Sequence, residues 1–392
     1  MSGEVIRRHT YGIGLRNSET FIGTATLREI ESSGRADFIR VIREGTEPKG
    51  SLEDYGAVLT DLPNDSELLR YLEGTVPRLI HSAEHLEHIR SGDVLKLDFK
   101  RGYVRSLYRV DSPHNVIFAT DRCNSNCLMC SQPPKDVNDA GIVDEHLRLI
   151  SLIPATTRQL GITGGEPTLL GEGLFRIIGA CKERLPVTRL HMLTNGRLFY
   201  YRTVAADLAA VGHPKLTLGI PLYSDRAAVH DYVVQAEGAF DQTMVGLHNL
   251  ARHGVEIEIR IVVHRETYQR LLPLAEFIYR NCPFASHVAL MGLELMGYTK
   301  TNLKQLWIDP LDYQDELETA AMFLARVGMN VSIYNHQLCV LPRSLWRFAK
   351  KSISDFKNIY LDECGACTVL DRCGGLFKST ERVHSRGIAA LS

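Results

Sequence analysis

The chain has 392 residues, of which 44% are hydrophobic and 23% charged, enough apolar material for a large core and more than one folding unit. Forty-five basic side chains against 46 acidic ones leave a formal net charge of −1, which gives no electrostatic footprint for nucleic acid or an anionic membrane surface. No run approaches eighteen uninterrupted apolar residues, and the first residues, MSGEVIRRHT, lack a signal-peptide core; the expected location is cytoplasmic. Nine cysteines in a reducing compartment point to metal or catalysis before disulfides.

Residues 1–112 carry short alternating segments (FIGTATLREI, ADFIRVI, DVLKLDF, YVRSLYRV) punctuated by Gly, Asn, Pro and Asp, and predict a small β-rich or α+β domain. Arg101-Gly102 sits at the turn of a predicted hairpin. No catalytic constellation stands out in this region.

From residue 113 to about 328 the rhythm becomes strand, loop, helix. NVIFAT, RQLGIT, VTRLHMLT, KLTLGIPL, VEIEIRIVV and HVALMGLEL are the strands, with amphipathic helical segments between and after them. Six such units predict an α/β fold whose parallel sheet is wound open or closed into a full or partial barrel. Parallel sheets bind ligands at the carboxyl ends of their strands. Three polar motifs fall just after strands: a cysteine loop, Gly164-Gly165-Glu166 and Thr194-Asn195-Gly196.

The loop is DRCNSNCLMCSQPP, with Cys123, Cys127 and Cys130 spaced C-x3-C-x2-C. A structural zinc site takes four protein ligands. Three thiolates on a cubane iron–sulfur cluster leave one iron open for another ligand. The residues favour a cluster, and a zinc site completed by a distant residue is the alternative.

CNSNCLMC, followed some thirty residues later by GITGGEP, resembles the signature of the radical S-adenosylmethionine (radical SAM) superfamily. The resemblance implies a partial (β/α)6 TIM-like barrel and a [4Fe-4S] cluster on Cys123, Cys127 and Cys130. Its open iron would chelate S-adenosylmethionine, whose reductive cleavage gives a 5′-deoxyadenosyl radical. It also implies a flavodoxin- or ferredoxin-type reductant. Met129 takes the often aromatic position before the third cysteine and would shield the cluster.

The same resemblance implies cofactor contacts from the backbone at Gly164 and Gly165 and from the Glu166 carboxylate to the cofactor ammonium. Asn195 ends the third-strand motif, and a plain turn is the alternative reading there. Arg260 in VEIEIRIVV is expected to meet the cofactor carboxylate, an internal ion pair with a glutamate being the alternative. Pro221 and Tyr223 occupy the strand-four positions where relatives carry Ser-x-Asp, so Ser224, one step on, is the polar candidate. The stretch HVALMGLELMGYTKTN is glycine-rich enough for adenine to lie against its backbone.

The tail, residues 329–392, holds Cys339, Cys364, Cys367 and Cys373, spaced C-x24-C-x2-C-x5-C. Four thiolates close either a zinc site or a fully ligated [4Fe-4S] cluster. The region resembles the SPASM or twitch-type auxiliary-cluster extensions of peptide-modifying radical SAM enzymes. That implies a second [4Fe-4S] cluster, with zinc as the alternative. Cys181 and Cys282 read as buried core thiols, and His191, His230 and His264 as structural histidines.

In finer detail, ATDRCNSNCLMCSQPP, RSGDVLKL and NHQLC resemble the His-Xaa-Ser system radical SAM maturases of the HxsC branch. The resemblance implies a peptide or small-protein substrate carrying His-Xaa-Ser repeats and a possible partner maturase, with no membrane or nucleic-acid partner. Radical chemistry on a small molecule or nucleotide, and a non-catalytic iron–sulfur or zinc redox protein, are the other readings.

Overall fold

A computed structural model describes residues 5–7, 20–31, 34–48, 50–76, 78–351, 359–380 and 383–392. The chain divides into two compact units. The first comprises Met1–Ile117 with Gly141–Gln159 and Glu183–Thr188; the second comprises Phe118–Ala140, Leu160–Lys182 and Arg189–Ser392.

The first unit is built on seven strands: β1 (Val5–Arg7), β2 (Thr20–Thr26), β3 (Phe38–Ile42), β4 (Ala57–Thr60), β5 (Leu79–Ile80), β6 (Val94–Asp98) and β7 (Tyr103–Tyr108). They form one mixed sheet in the order β1-β7-β6-β2-β3-β4-β5. The predicted β6–β7 hairpin is present, with Gly102 at φ +64° in its turn. The parallel half of the sheet, β2 to β5, was not legible as such. Its crossover helix α1 (Glu67–Thr75) is capped by the Ser66 hydroxyl, which accepts from the Leu69 N–H. Alternate residues of β3 serve two cores, Ile39 and Val41 on one face and Ile42 on the other, with Tyr55, Leu69 and Leu72.

The second sheet has seven parallel strands: β8 (Asn115–Phe118), β9 (Gln159–Thr163), β10 (Arg189–Leu193), β11 (Leu216–Pro221), β12 (Glu256–Val263), β13 (His287–Gly292) and β14 (Val331–Tyr334). They run in strict sequence order across the sheet, the arrangement of a curled partial TIM-like barrel. Helices α2 (Ile142–Leu152), α3 (Glu172–Arg184), α4 (Arg202–Val211), α5 (Ala227–Val234), α6 (Ala239–Arg252), α7 (Leu271–Asn281), α8 (Tyr298–Thr301), α9 (Leu303–Leu306) and α10 (Gln314–Arg326) complete the elements. Six strands were expected; the seventh, β14, lies in residues read from sequence as the start of the tail. Its four residues are too few to show a period, and only pairing with β13 identifies it. The helix α5 was likewise missed, being short and nearly uniformly apolar.

Period two on the central strands separates two faces. Ile257, Ile259, Ile261 and Val263 of β12 are fully buried, as are Val288 and Leu290 of β13. The opposite face carries Glu258 and Arg260 in register with His287 and Ala289; Ala289 is in turn in register with Ser332 on β14, which lies 3.0 Å from His287 Nε2. Glu258, Arg260, His287 and Ser332 thus form a polar, mutually bonded group on that face.

Candidate active site

The cysteine loop leaves β8 and is fastened from three directions. The amides of Asn126 and Leu128 donate to the carbonyls of Val234 and Val233 at 3.0 and 2.9 Å, pinning the loop to the end of α5. The Asn302 side-chain amide donates to the Leu128 carbonyl at 2.8 Å, and the Tyr298 N–H donates to that of Cys130 at 2.9 Å. Gly297, at φ +53°, lies so close that a Cβ there would stand 2.2 Å from the Cys130 carbonyl oxygen. The glycine-rich stretch after β13, expected to support adenine, thus has a second task in cradling this loop.

Met129 is 7% exposed and packs with Tyr223, Val233, Val234, Ala239 and Leu306, with Cys127 and Leu128 against the same cluster. It forms part of an apolar wall beside the thiols. Tyr223 is missing from the set expected by sequence; its phenol, pushed well above the ordinary value by burial and then by the thiols, marks it as their neighbour. The Ser-x-Asp comparison had flagged that position, though only as a departure.

Gly164 and Gly165 permit a close approach, and in this structure its object is backbone. A Cβ at Gly164 would stand 2.5 Å from the Thr120 carbonyl oxygen, and one at Gly165 2.1 Å from that of Arg122. The amides of Gly165 and Glu166 donate to these same oxygens at 2.7 and 2.8 Å. Glu166 is wholly buried. Its Oε1 accepts from the Thr168 N–H and hydroxyl (3.1 and 2.6 Å) and from the Thr194 hydroxyl (2.6 Å). Its Oε2 accepts the Asn195 N–H at 2.7 Å. Burial raises its pKa, and these four donors pull the other way.

Asn195 carries the chain of contacts onward. Its side-chain amide donates to Asn124 Oδ1 at 2.6 Å, inside the span between Cys123 and Cys127. Arg197 joins it, donating to the Ser125 hydroxyl at 3.0 Å and to the Asn124 carbonyl while its Nε holds Gln242 at 2.8 Å. Arg197 was missed from sequence because nothing in NGRLFY distinguishes it from a surface arginine.

Arg260 pairs with Glu258 at 2.5 Å and donates to Met291 Sδ at 3.0 Å. Glu258 also accepts from His287 Nδ1 at 2.7 Å and stands 3.4 Å from His191 Nε2. Burial would push Glu258 up, yet His191, His287 and Arg260 together hold it far below the usual carboxylate range. Gly219 makes room for this group, since a Cβ there would be 2.9 Å from Arg260 Cδ and 3.2 Å from His191 Nε2. Ser224 is fully buried and its hydroxyl accepts the Arg226 N–H at 3.2 Å; Asp225 pairs with Arg270 at 2.7 Å. His230 Nδ1 accepts from the Tyr223 N–H, whereas both ring nitrogens of His264 are buried without a partner.

In tetrahedral zinc–thiolate sites, Zn–S bonds of about 2.3 Å place sulfurs ~3.8 Å apart. Among the described residues no three thiol sulfurs lie within 4.8 Å of one another. Three thiols on one loop, and four in one tail cavity, are donors of the type that iron–sulfur clusters and zinc both take. Burial raises all three loop thiols, Cys127 to about 12; Cys130 and Cys123 add to the rise at Cys127, and Glu166 and Cys130 to that at Cys123. A multivalent cationic group among desolvated thiols favours their thiolate forms.

In the tail, Cys339, Cys364, Cys367 and Cys373 line a single cavity with Tyr360, Leu370 and Leu376. Backbone groups already face these sulfurs: the Leu391 N–H donates to Cys367 Sγ at 3.5 Å, and Ala389 donates to Cys339. Tyr360 donates to the Cys373 carbonyl at 2.9 Å. Cys181 and Cys282 are fully buried. Among the described residues, no helix is long and apolar enough to cross a membrane.

Residues 117–278 match the model of the radical SAM superfamily. A curated relative, Fe-coproporphyrin III synthase of Methanosarcina barkeri (strain Fusaro / DSM 804), is 27% identical over 150 residues, 38% of this chain and 36% of that protein. Among solved structures, Streptococcus suis SuiB bound to S-adenosylmethionine aligns with TM-score 0.45 and 18% identity, over 57% of this chain and half of SuiB. Coproporphyrinogen III oxidase (HemN) from Escherichia coli aligns with TM-score 0.42 and 16% identity, over 55% of this chain and 53% of that one. The matched segment begins within β8 and includes the three-cysteine loop.

Proposed function

We propose that this radical SAM enzyme is a maturase that modifies a peptide or small protein, of the His-Xaa-Ser system, with a second [4Fe-4S] cluster in its tail. The observation that carries the reading is the tail cavity, where four thiols converge separately from the three at β8. One set stops at three and leaves a ligand position to be filled; the other is closed by protein alone.

When bound, the cluster of the β8 loop supplies reductive cleavage of S-adenosylmethionine to methionine and a 5′-deoxyadenosyl radical that abstracts a substrate hydrogen. Cys123, Cys127 and Cys130 would hold it. Met129 and Tyr223 exclude water on one side. Glu166, Asn195 and Arg197 keep the loop in one geometry through contacts to Asn124, Ser125 and one another. Arg260, already balanced by Glu258, presents a guanidinium on the barrel's inner face, where it would meet the cofactor carboxylate. Cys339, Cys364, Cys367 and Cys373 would hold the second cluster, which would supply electron transfer or help to hold the substrate. A flavodoxin- or ferredoxin-type protein is the proposed donor, a second maturase a possible partner, and the cytoplasm the proposed location.

Anaerobically reconstituted protein should contain about eight irons and eight sulfides per chain if both sets carry cubanes. With dithionite and S-adenosylmethionine it should release 5′-deoxyadenosine; none at all would refute the enzymatic reading. Cys364→Ala with Cys367→Ala should halve the iron and leave cofactor cleavage partly intact. About four irons and one zinc in the parent would replace the second cluster by zinc. Co-expression with a small His-Xaa-Ser repeat protein, followed by mass spectrometry, tests the substrate.

A second reading is radical chemistry on a tetrapyrrole or another small molecule. The 150-residue likeness to Fe-coproporphyrin III synthase favours it. Turnover of a porphyrin with no mass change in co-expressed peptide would select it.

A further inference from the structure

His85, Glu87 and His88 lie within one short turn between β5 and β6, in the first compact unit. Leu86–His88 form a single 3-10 turn with His85 as its N-cap. In such a turn the side chains at i and i+3 eclipse, so the residues sort into two pairs. Leu86 and Ile89 are the inner pair, 1% and 4% exposed, in the core with Val41, Leu59 and Leu95. His85 and His88 are the outer pair, their rings stacked with centroids 6.3 Å apart and planes at 26°.

The backbone of the turn is held by its neighbours. Arg43 donates to the carbonyls of Leu86 and Ile89 at 2.8 and 2.9 Å, and Arg90 to that of Glu87 at 2.5 Å. The Ile89 N–H closes the turn on the Leu86 carbonyl at 3.0 Å. Side chains carried on a fixed turn lose less freedom when they gather around an ion.

One donor atom from each of His85, Glu87 and His88 lies within 4.8 Å of the other two. Glu87 Oε1 is 3.3 Å from His85 Nδ1 and 3.4 Å from His88 Nε2. Bonds of about 2.0–2.2 Å to nitrogen and oxygen put neighbouring donors of a tetrahedral Zn²⁺ about 3.4 Å apart, so two edges of such a site are already set. The other nitrogen of His85, Nε2, faces Glu84 Oε2 at 4.0 Å. A carboxylate behind a ligating imidazole selects the tautomer that leaves the inner nitrogen free to bind. The three side chains are 61–67% exposed, which leaves the remaining coordination positions to water. Imidazole nitrogen with carboxylate oxygen suits Zn²⁺, Ni²⁺ and Cu²⁺, whereas Mg²⁺ and Ca²⁺ take oxygen ligands.

We propose that His85, Glu87 and His88 bind one divalent transition-metal ion, Zn²⁺ or a first-row neighbour, at the surface of the first unit. The site uses none of the nine cysteines and does not depend on which substrate the enzyme modifies.

The test is hydrogen exchange of the full anaerobically reconstituted chain with and without Zn²⁺, which localises binding and so separates this turn from any thiol that takes the ion. Saturating Zn²⁺ should slow exchange of the His88 and Ile89 amides at least about tenfold, because an ion bound only by the closed turn opposes its opening. Mg²⁺ at the same concentration should leave them unchanged. His85→Ala with His88→Ala should abolish the Zn²⁺ effect. Glu87→Gln, closer in shape, should weaken Zn²⁺ binding at this turn at least about tenfold. His253→Ala, at an exposed histidine of the second unit, should do neither. Unchanged exchange across β6 and β7 checks that each variant is folded, and Glu87→Gln decides the matter if the double variant is not. No protection of the parent's turn, equal protection by Mg²⁺, or full protection surviving in either turn variant each overturns the site.

Discussion

The carboxylate of Glu166 accepts the backbone N–H of Asn195 at 2.7 Å, joining the loop after β9 to the loop after β10. Asn195 then reaches Asn124 at 2.6 Å, so the Glu166 carboxylate positions the cysteine loop through Asn195. Replacing Glu166 by Gln turns one acceptor toward its donors as an NH2 group. Glu166→Gln should cost about 1–3 kcal/mol in urea denaturation and lower the iron retained after reconstitution. Unchanged stability and unchanged iron would show that the loop stands without this link.

Gly297 is the tightest point of the cradle. Gly297→Ala introduces a Cβ that must move the Cys130 carbonyl, at a left-handed backbone where alanine is strained. The expected outcome is an about 1–3 kcal/mol loss of stability and at least a halving of β8-loop cluster, read as iron per chain in the Cys364→Ala, Cys367→Ala background. Retention of four irons there would disprove the cradle.

Glu258 is held below the ordinary carboxylate range, against the effect of its burial, by His191, His287 and Arg260. A carboxylate with a lowered folded pKa stabilises the protein above its unfolded pKa of about 4.3, and that stabilisation falls as pH drops below it. Glu258→Gln leaves Arg260 without its anion and should cost about 3 kcal/mol at pH 7. In urea titrations the gap between parent and variant should narrow steadily from pH 5 to pH 3. A gap independent of pH would mean that the charge is not what matters.

His264 is wholly buried, with both nitrogens unpartnered and a pKa pushed down to about 4 by burial. It is neutral at pH 7 and makes no hydrogen bond that a hydrocarbon would lose. His264→Leu should therefore leave thermal stability unchanged or raise it by about 1 kcal/mol, with S-adenosylmethionine affinity unaltered. A drop in that affinity would identify the imidazole as a ligand contact.

Most of the barrel could be read directly because its strands announce themselves. VEIEIRIVV alternates so regularly that β12, its buried face and its polar face follow from period two alone. The short elements could not be read: α5 and β14 are too brief to display a period, yet α5 supplies the carbonyls that receive Asn126 and Leu128.

The sequence by itself determined which donors are present: three cysteines in one loop, four in the tail, and a glycine pair after a strand. Local spacing suffices for the three-cysteine loop and the glycine pair because each lies within one loop. Tertiary structure decided what each motif touches. Gly164 and Gly165 meet the Thr120–Arg122 backbone, Arg260 meets Glu258, Gly297 meets Cys130, and Cys339 joins cysteines more than twenty residues away. These pairings depend on strand order and register, which bring together residues far apart along the chain, and no window of sequence contains them.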